Sequence, residues 1–152
     1  MQTINHGSVH HATFLSDTAF AAVSHDEVFG IYDLRDETSK GRVLGDVRPR
    51  LNCQYVVDVA NIAGQNVIVS ASTADQNVTL TPFSTSNDHV LERENSILLP
   101  GGHGDDVVRS ITCSPDHSVL YTAGEDAVIK AWRLPGWDEP TDEPARKKHR
   151  KE

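Results

Sequence analysis

The sequence predicts an all-β chain built from a repeat of about 50 residues, and three observations carry that reading. Segments 11–34 (HATFLSDTAFAAVSHDEVFGIYDL), 59–83 (VANIAGQNVIVSASTADQNVTLTPF) and 110–134 (SITCSPDHSVLYTAGEDAVIKAWRL) superpose on Asp26, Asp75 and Asp126, which lie 49 and 51 residues apart. Each of these aspartates is preceded by an apolar run and followed, two or three residues on, by a valine. No helical periodicity longer than two turns interrupts the pattern. A fixed period of this size marks a repeat architecture, in which single units cannot bury their faces alone and stack on neighbours.

The elements follow in order within each unit. The first opens on an inner strand, Val9–Phe14, turns through polar residues, and continues into the apolar strand Phe20–Val23. After the Asp26 turn comes a strand that holds Tyr32, and Arg42–Val47 supplies a fourth. The second unit places Val67–Ala71 before Asp75 and Thr81 six residues after it, with Val90–Leu99 as its fourth strand. The third places Val119–Ala123 before Asp126 and Trp132 six residues after it, then stops. Prolines and glycines bound the runs, as turns require. Three blades are expected, at about 5–47, 51–99 and 102–134.

The third unit carries Gly102-His103, then Ser114-Pro115-Asp116, then GEDAVIKAWRL with Trp132. In these residues the chain resembles the WD-repeat family, whose WD40-type β-propellers have four-stranded blades bracketed by GH and WD dipeptides. The resemblance spans residues from about 5 to 134, clearest in the last unit and faintest in the middle one. GHGDDVVRSITC, GEDAVIKAW and the basic C-terminus together resemble the end of the family called WD repeat-containing protein 89. The resemblance implies a buried polar chain of loop His, strand hydroxyl, turn Asp and strand Trp, here His103, Thr122, Asp126 and Trp132. Its turn Asp has equivalents in Asp26 and Asp75. Ile4, Ala22 and Tyr32 fill the other places in the first unit, and Asn52, Ala71 and Thr81 in the second, so only the third can build the whole chain.

Catalysis has little to stand on. A His/Asp pair with Ser110 or Ser114 as nucleophile is conceivable, but no GxSxG elbow exists and the blade pattern already accounts for His103 and Asp126. The eight histidines show no HxH, HExxH or Cys/His spacing that converges on a metal, so no metal and no cofactor is expected. Cys113 aligns with Phe14 and Ile62 and reads as a small hydrophobe. With Cys53 it forms neither a disulfide framework nor a CxxC site, which fits a reducing compartment.

Composition fixes the class of partner. At 38% apolar and 24% charged the chain reads as globular, and no apolar run approaches the length of a membrane span. The net charge of −8 hides an asymmetry, because residues 1–145 hold nine Lys/Arg against 21 Asp/Glu, a net of −12. Such a body repels a phosphate backbone, so nucleic-acid contact is expected only through the tail. Residues 135–152 run from Pro and acidic residues into Arg146, Lys147, Lys148, Arg150 and Lys151, which reads as a disordered segment with a nuclear-import signal recognised by an import receptor. A nuclear rather than cytoplasmic location is favoured.

The residues at the start of each inner strand face one rim of a propeller. Tyr55, Asp58, Asp105, Asp106 and Arg109 fall there and read as a surface for other proteins, since Tyr and Arg supply many interface hot spots. Three blades do not close a ring. An incomplete propeller, the C-terminal part of a larger one serving as a non-enzymatic scaffold, is therefore the expected architecture.

Overall fold

The computed structural model describes residues 3–36, 38, 40–86 and 90–134. The expected tail and its basic cluster lie outside these residues. Three antiparallel sheets follow one another along the chain. The first is β1 (Val9–Ser16), β2 (Ala19–Ser24), β3 (Val28–Asp33) and β4 (Arg42–Asp46), hydrogen-bonded in chain order. The second repeats the order with β5 (Tyr55–Ile62), β6 (Gln65–Ser72), β7 (Asn77–Pro82) and β8 (Ile97–Pro100). The third has β9 (Val108–Cys113), β10 (Leu120–Gly124) and β11 (Ile129–Trp132), with β11 at its edge. A single helical turn, α1 (Arg48–Leu51), joins the first sheet to the second. Pro49 at its start fits a turn whose early N–H groups need no intrahelical partner, and Asn52 ends it in the left-handed region.

The repeat is visible in the backbone. Glu27, Gln76 and Ala127 each follow an aligned aspartate and each adopts positive φ, 59°, 50° and 60°. One turn shape therefore recurs in all three units, although none of these residues is a glycine. The pairing beyond it differs. Val23 faces Phe29 and Ala123 faces Ile129, while Ser72 faces Asn77, so the second unit is one residue shorter on its outgoing strand.

Period-two alternation sends the middle sheet's side chains into two cores. Ile68 points with Val23, Phe29, Val56 and Phe83 into a core between the first and second sheets. Its neighbours Val67 and Val69 point with Leu80, Val108, Ile111 and Leu120 into a second core between the second and third. Phe29 meets Phe83 edge-on, with ring centroids 5.2 Å apart, which fixes the first interface. The middle sheet is covered on both faces, and each outer sheet has one face without a neighbouring sheet among the described residues. Phe14 on β1 is consequently 69% exposed and Ile129 on β11 is 73% exposed.

The Val90–Leu99 strand is shorter than the sequence suggests. Only Ile97–Pro100 pairs with β7, and upstream Leu91 makes a single bridge to Phe83 before a 3-10 turn at Arg93–Asn95. The run Glu92–Asn95 lacks apolar alternation, and Asn95 bonds back to the Glu92 carboxylate across 3.2 Å, which favours the turn over extension.

Candidate functional site

The residues singled out by the resemblance meet in the third sheet. The His103 ring has Nδ1 2.8 Å from Asp126 Oδ1 and Nε2 2.8 Å from Thr122 Oγ1, and Trp132 Nε1 donates to the same hydroxyl at 2.9 Å. A carboxylate only accepts, so Nδ1 carries the proton and Nε2 of the neutral ring accepts, while an indole N–H only donates. Trp132 donates to Thr122, whose O–H donates to Nε2, and the Nδ1–H of His103 donates to Asp126. Each donor in the chain is satisfied, and Asp126 also accepts the Val128 N–H at 3.1 Å. Gly124 makes room for the ring, since a Cβ there would lie 2.6 Å from His103 Nδ1. The Ser114-Pro115-Asp116 motif closes the β9–β10 hairpin. Hydrogen bonds from Ser114 and Ser118 hold the Asp116 carboxyl down at about 2.

Asp26 and Asp75 occupy the same turn but do different things. Asp75 accepts a bond from Ser72 Oγ within its own turn, whereas Asp26 is exposed and contributes its backbone N–H to Ser24 Oγ. The first sheet nevertheless has a histidine in the loop position, and it is His6 rather than the place aligned with Ile4. Its Nε2–H donates to the Val28 carbonyl at 3.0 Å, so Nδ1 must accept, and the Tyr32 hydroxyl donates to it across 2.5 Å. The ring lies over Gly30, where a Cβ would come within 2.8 Å of it. His6 stands three residues before Val9 and His103 five before Val108, although Val9 and Val108 pair with the equivalent Ser24 and Gly124. A fixed-spacing alignment misses His6 for that reason. The shared signal is the following glycine, Gly7 and Gly104, at φ 86° and 61°.

The inner strands β1, β5 and β9 pack in succession, and their first residues converge on a cavity of about 350 Å³. All three sheets contribute, through His10, His25 and Glu27, then Tyr55, then Arg109. Two of the lining residues bind the sheets together. Glu27 accepts the Val56 N–H at 3.0 Å and Tyr55 OH accepts the Val108 N–H at 2.8 Å. Burial raises the pKa of both Glu27 and Tyr55. Burial, followed by the nearby His25, lowers that of His10. Arg109 forks onto Glu125 at the open rim.

The other rim residues are distributed. Asp58 is half-buried, burial pushes its carboxyl up against the opposing pull of His11, and His11 Nε2 lies 2.6 Å away. That contact is close without being an aligned hydrogen bond. Asp105 is exposed and accepts from Gln76 Nε2 at 2.8 Å, and the exposed Asp106 donates its N–H to the His103 carbonyl. Tyr55 and Arg109 therefore share the cavity, while Asp58, Asp105 and Asp106 stand outside its described lining.

No family model matches the sequence. The chain is 36% identical over 139 residues to the uncharacterized WD repeat-containing protein YNL035C of Saccharomyces cerevisiae, covering 86% of this chain and 34% of that protein. Its relatives are WD-repeat proteins. The uncharacterized WD repeat-containing protein C63.06 of Schizosaccharomyces pombe is 27% identical over 146 residues, covering 88% of this chain and 43% of that one. The chain thus spans about a third to two-fifths of the length of these relatives, and its three sheets are blades of a partial WD40-type propeller.

Within this WD-repeat fold the His103–Asp126 pair lies inside its blade. The His103 side chain is fully buried with both ring nitrogens bonded, to Asp126 and Thr122, and Ser114 Oγ donates to Asp116 rather than to the pair. The pair does couple stability to pH. The hydrogen bond from His103 holds the Asp126 carboxyl below its ordinary 3.8, so its stabilising contribution is complete above that value and lost as pH falls through the depressed one. Acid unfolding of Asp126→Asn is expected to be less steep below about pH 4 than that of the wild type, as read by circular dichroism across a pH series.

Proposed function

We propose that this chain forms the C-terminal blades of a larger WD-repeat propeller and acts as a non-enzymatic scaffold for protein–protein interaction. The observation that carries this reading is the cavity mouth where all three blades converge around His10, His25, Tyr55 and Arg109. The greater length of the relatives supports the larger ring. The likeness to WD repeat-containing protein 89 rests on GHGDDVVRSITC and GEDAVIKAW and adds chain position to the proposal.

Arg109 is the residue to change. Its guanidinium is exposed and paired only across the rim with Glu125, and surface pairs of this kind contribute little to stability, typically under about 1 kcal/mol. Tyr55 is unsuitable, because its hydroxyl ties the second blade to the third. Arg109→Glu is expected to abolish capture of the proteins that co-purify with the wild type while leaving the melting temperature unchanged. An unchanged set of captured proteins would remove the rim from consideration.

A second reading places the chain in a nuclear complex that handles nucleic acid, in ribosome assembly or chromatin, through Arg146, Lys147, Lys148, Arg150 and Lys151. The concentration of five basic residues within 146–152 favours it. A reporter fused to residues 135–152 is expected to accumulate in the nucleus, and a reporter that stays cytoplasmic refutes import by this segment. Steeply salt-dependent RNA binding that disappears on deleting 146–152 would move the weight to the second reading.

A further inference from the structure

On the circumference of the blades, away from the inner strands, a groove of about 450 Å³ runs between β4, α1 and the segment leading to the Arg93–Asn95 turn. Three arginines line it, Arg42, Arg50 and Arg93, together with apolar residues that include Val43, Leu44 and Leu91. Among the described residues its lining holds no carboxylate. This is unusual on a body whose first 145 residues carry a net charge of −12. Three arginines elsewhere are paired locally, Arg35 with Asp33, Arg48 with Asp46 and Arg109 with Glu125. Arg50 and Arg93 are exposed and form no ion pair among the described residues.

The groove also has a direction. Arg42, Val43 and Leu44 are consecutive on β4, and Leu44 is the extra residue of a bulge between the Val43–Gly30 and Gly45–Phe29 pairs, so the groove that all three line follows this strand at the rim of its sheet. Among the described residues β4 is the outermost strand of the first sheet and pairs only with β3, which leaves that edge open. Val43 is 52% exposed there.

We infer that this groove docks an extended acidic peptide of a partner protein. The peptide adds a strand to β4 through main-chain hydrogen bonds, rests an apolar side chain on Val43, Leu44 and Leu91, and turns its carboxylates toward Arg50 and Arg93. Charge complementarity selects the sign of the peptide and the apolar lining selects a side chain over a bare anion. A nucleic acid fits less well, since a long polyanion must cross the acidic remainder of the body and has no apolar group for that lining.

The test uses the full chain and a fluorescein-labelled peptide of alternating glutamate and leucine, with a lysine–leucine peptide as its opposite and single-stranded DNA as competitor. The acidic peptide is expected to bind, and the Arg50→Glu/Arg93→Glu double variant to weaken it by about tenfold or more while gaining the lysine peptide. Val43→Asp, at an exposed position, is expected to weaken it without unfolding the chain, and Arg109→Glu to leave it unchanged, which separates this groove from the rim. Circular dichroism verifies the fold of each variant. Failure of the folded wild type to bind the acidic peptide, equal binding by the double variant, or displacement by DNA as effective as by unlabelled peptide would each overturn the inference.

Discussion

Replacing Thr122 with valine is expected to lower stability by about 2–3 kcal/mol and the melting temperature by about 10 °C, with thermal and urea unfolding as the measurements. The hydroxyl is buried and serves two neighbours at once, accepting from Trp132 Nε1 and donating to His103 Nε2. Valine has nearly the same shape, so packing is kept and the loss isolates the hydrogen bonds. Thr122→Ser keeps the oxygen and is expected to recover most of the difference. In the first blade Tyr32→Phe removes a single bond to His6, whose ring is only half-buried, and the expected cost is smaller, about 1 kcal/mol. Equal losses at Thr122 and Tyr32 would contradict the view that the third blade's polar chain acts as a unit.

The second large effect concerns association. This chain produced by itself is expected to form oligomers at tens of micromolar, and Phe14→Lys/Ile129→Lys to shift it toward monomer in size exclusion with light scattering. Phe14 and Ile129 lie on the outer blades, exposed by 69% and 73%, and among the described residues β11 is an unpaired edge strand beside the second of them. Apolar faces and open strand edges of this kind recruit further chains unless covered. Within a larger ring the neighbouring blades supply that cover. A wild-type chain that runs as a monomer and melts in one sharp transition would contradict this expectation.

Much of this could be read in the residues, and what could not has identifiable causes. The turn after each aligned aspartate was legible because Asp26, Asp75 and Asp126 sit at fixed offsets from strands on either side, and Glu27, Gln76 and Ala127 repeat one backbone shape there. His103, Thr122, Asp126 and Trp132 were legible through the resemblance to WD-repeat blades, because all four belong to a single unit. His6 was not, since its loop is two residues shorter and fixed spacing lands on Ile4. The fourth strand of the second blade was overextended because Val90, Leu91 and Leu98 have strand character whatever the polar run between them does.

The contacts between blades lie beyond any pattern in the sequence. Tyr55 reads as an exposed anchor for a partner, yet its hydroxyl meets the Val108 N–H, 53 positions along the chain. Glu27 reads as a turn residue, yet its carboxylate holds the Val56 N–H, 29 positions on. Arg42, Arg50 and Arg93 show no common spacing and share a groove only because α1 swings the chain between two sheets. The amino-acid order by itself determined the strands and their turns, because those depend on offsets within about 30 residues, and the resemblance carried by the third unit added its polar chain. Which side chains bind blade to blade, and where positive charge gathers on an acidic body, only the tertiary structure decided, because stacking brings together residues whose separation along the chain carries no periodic signal.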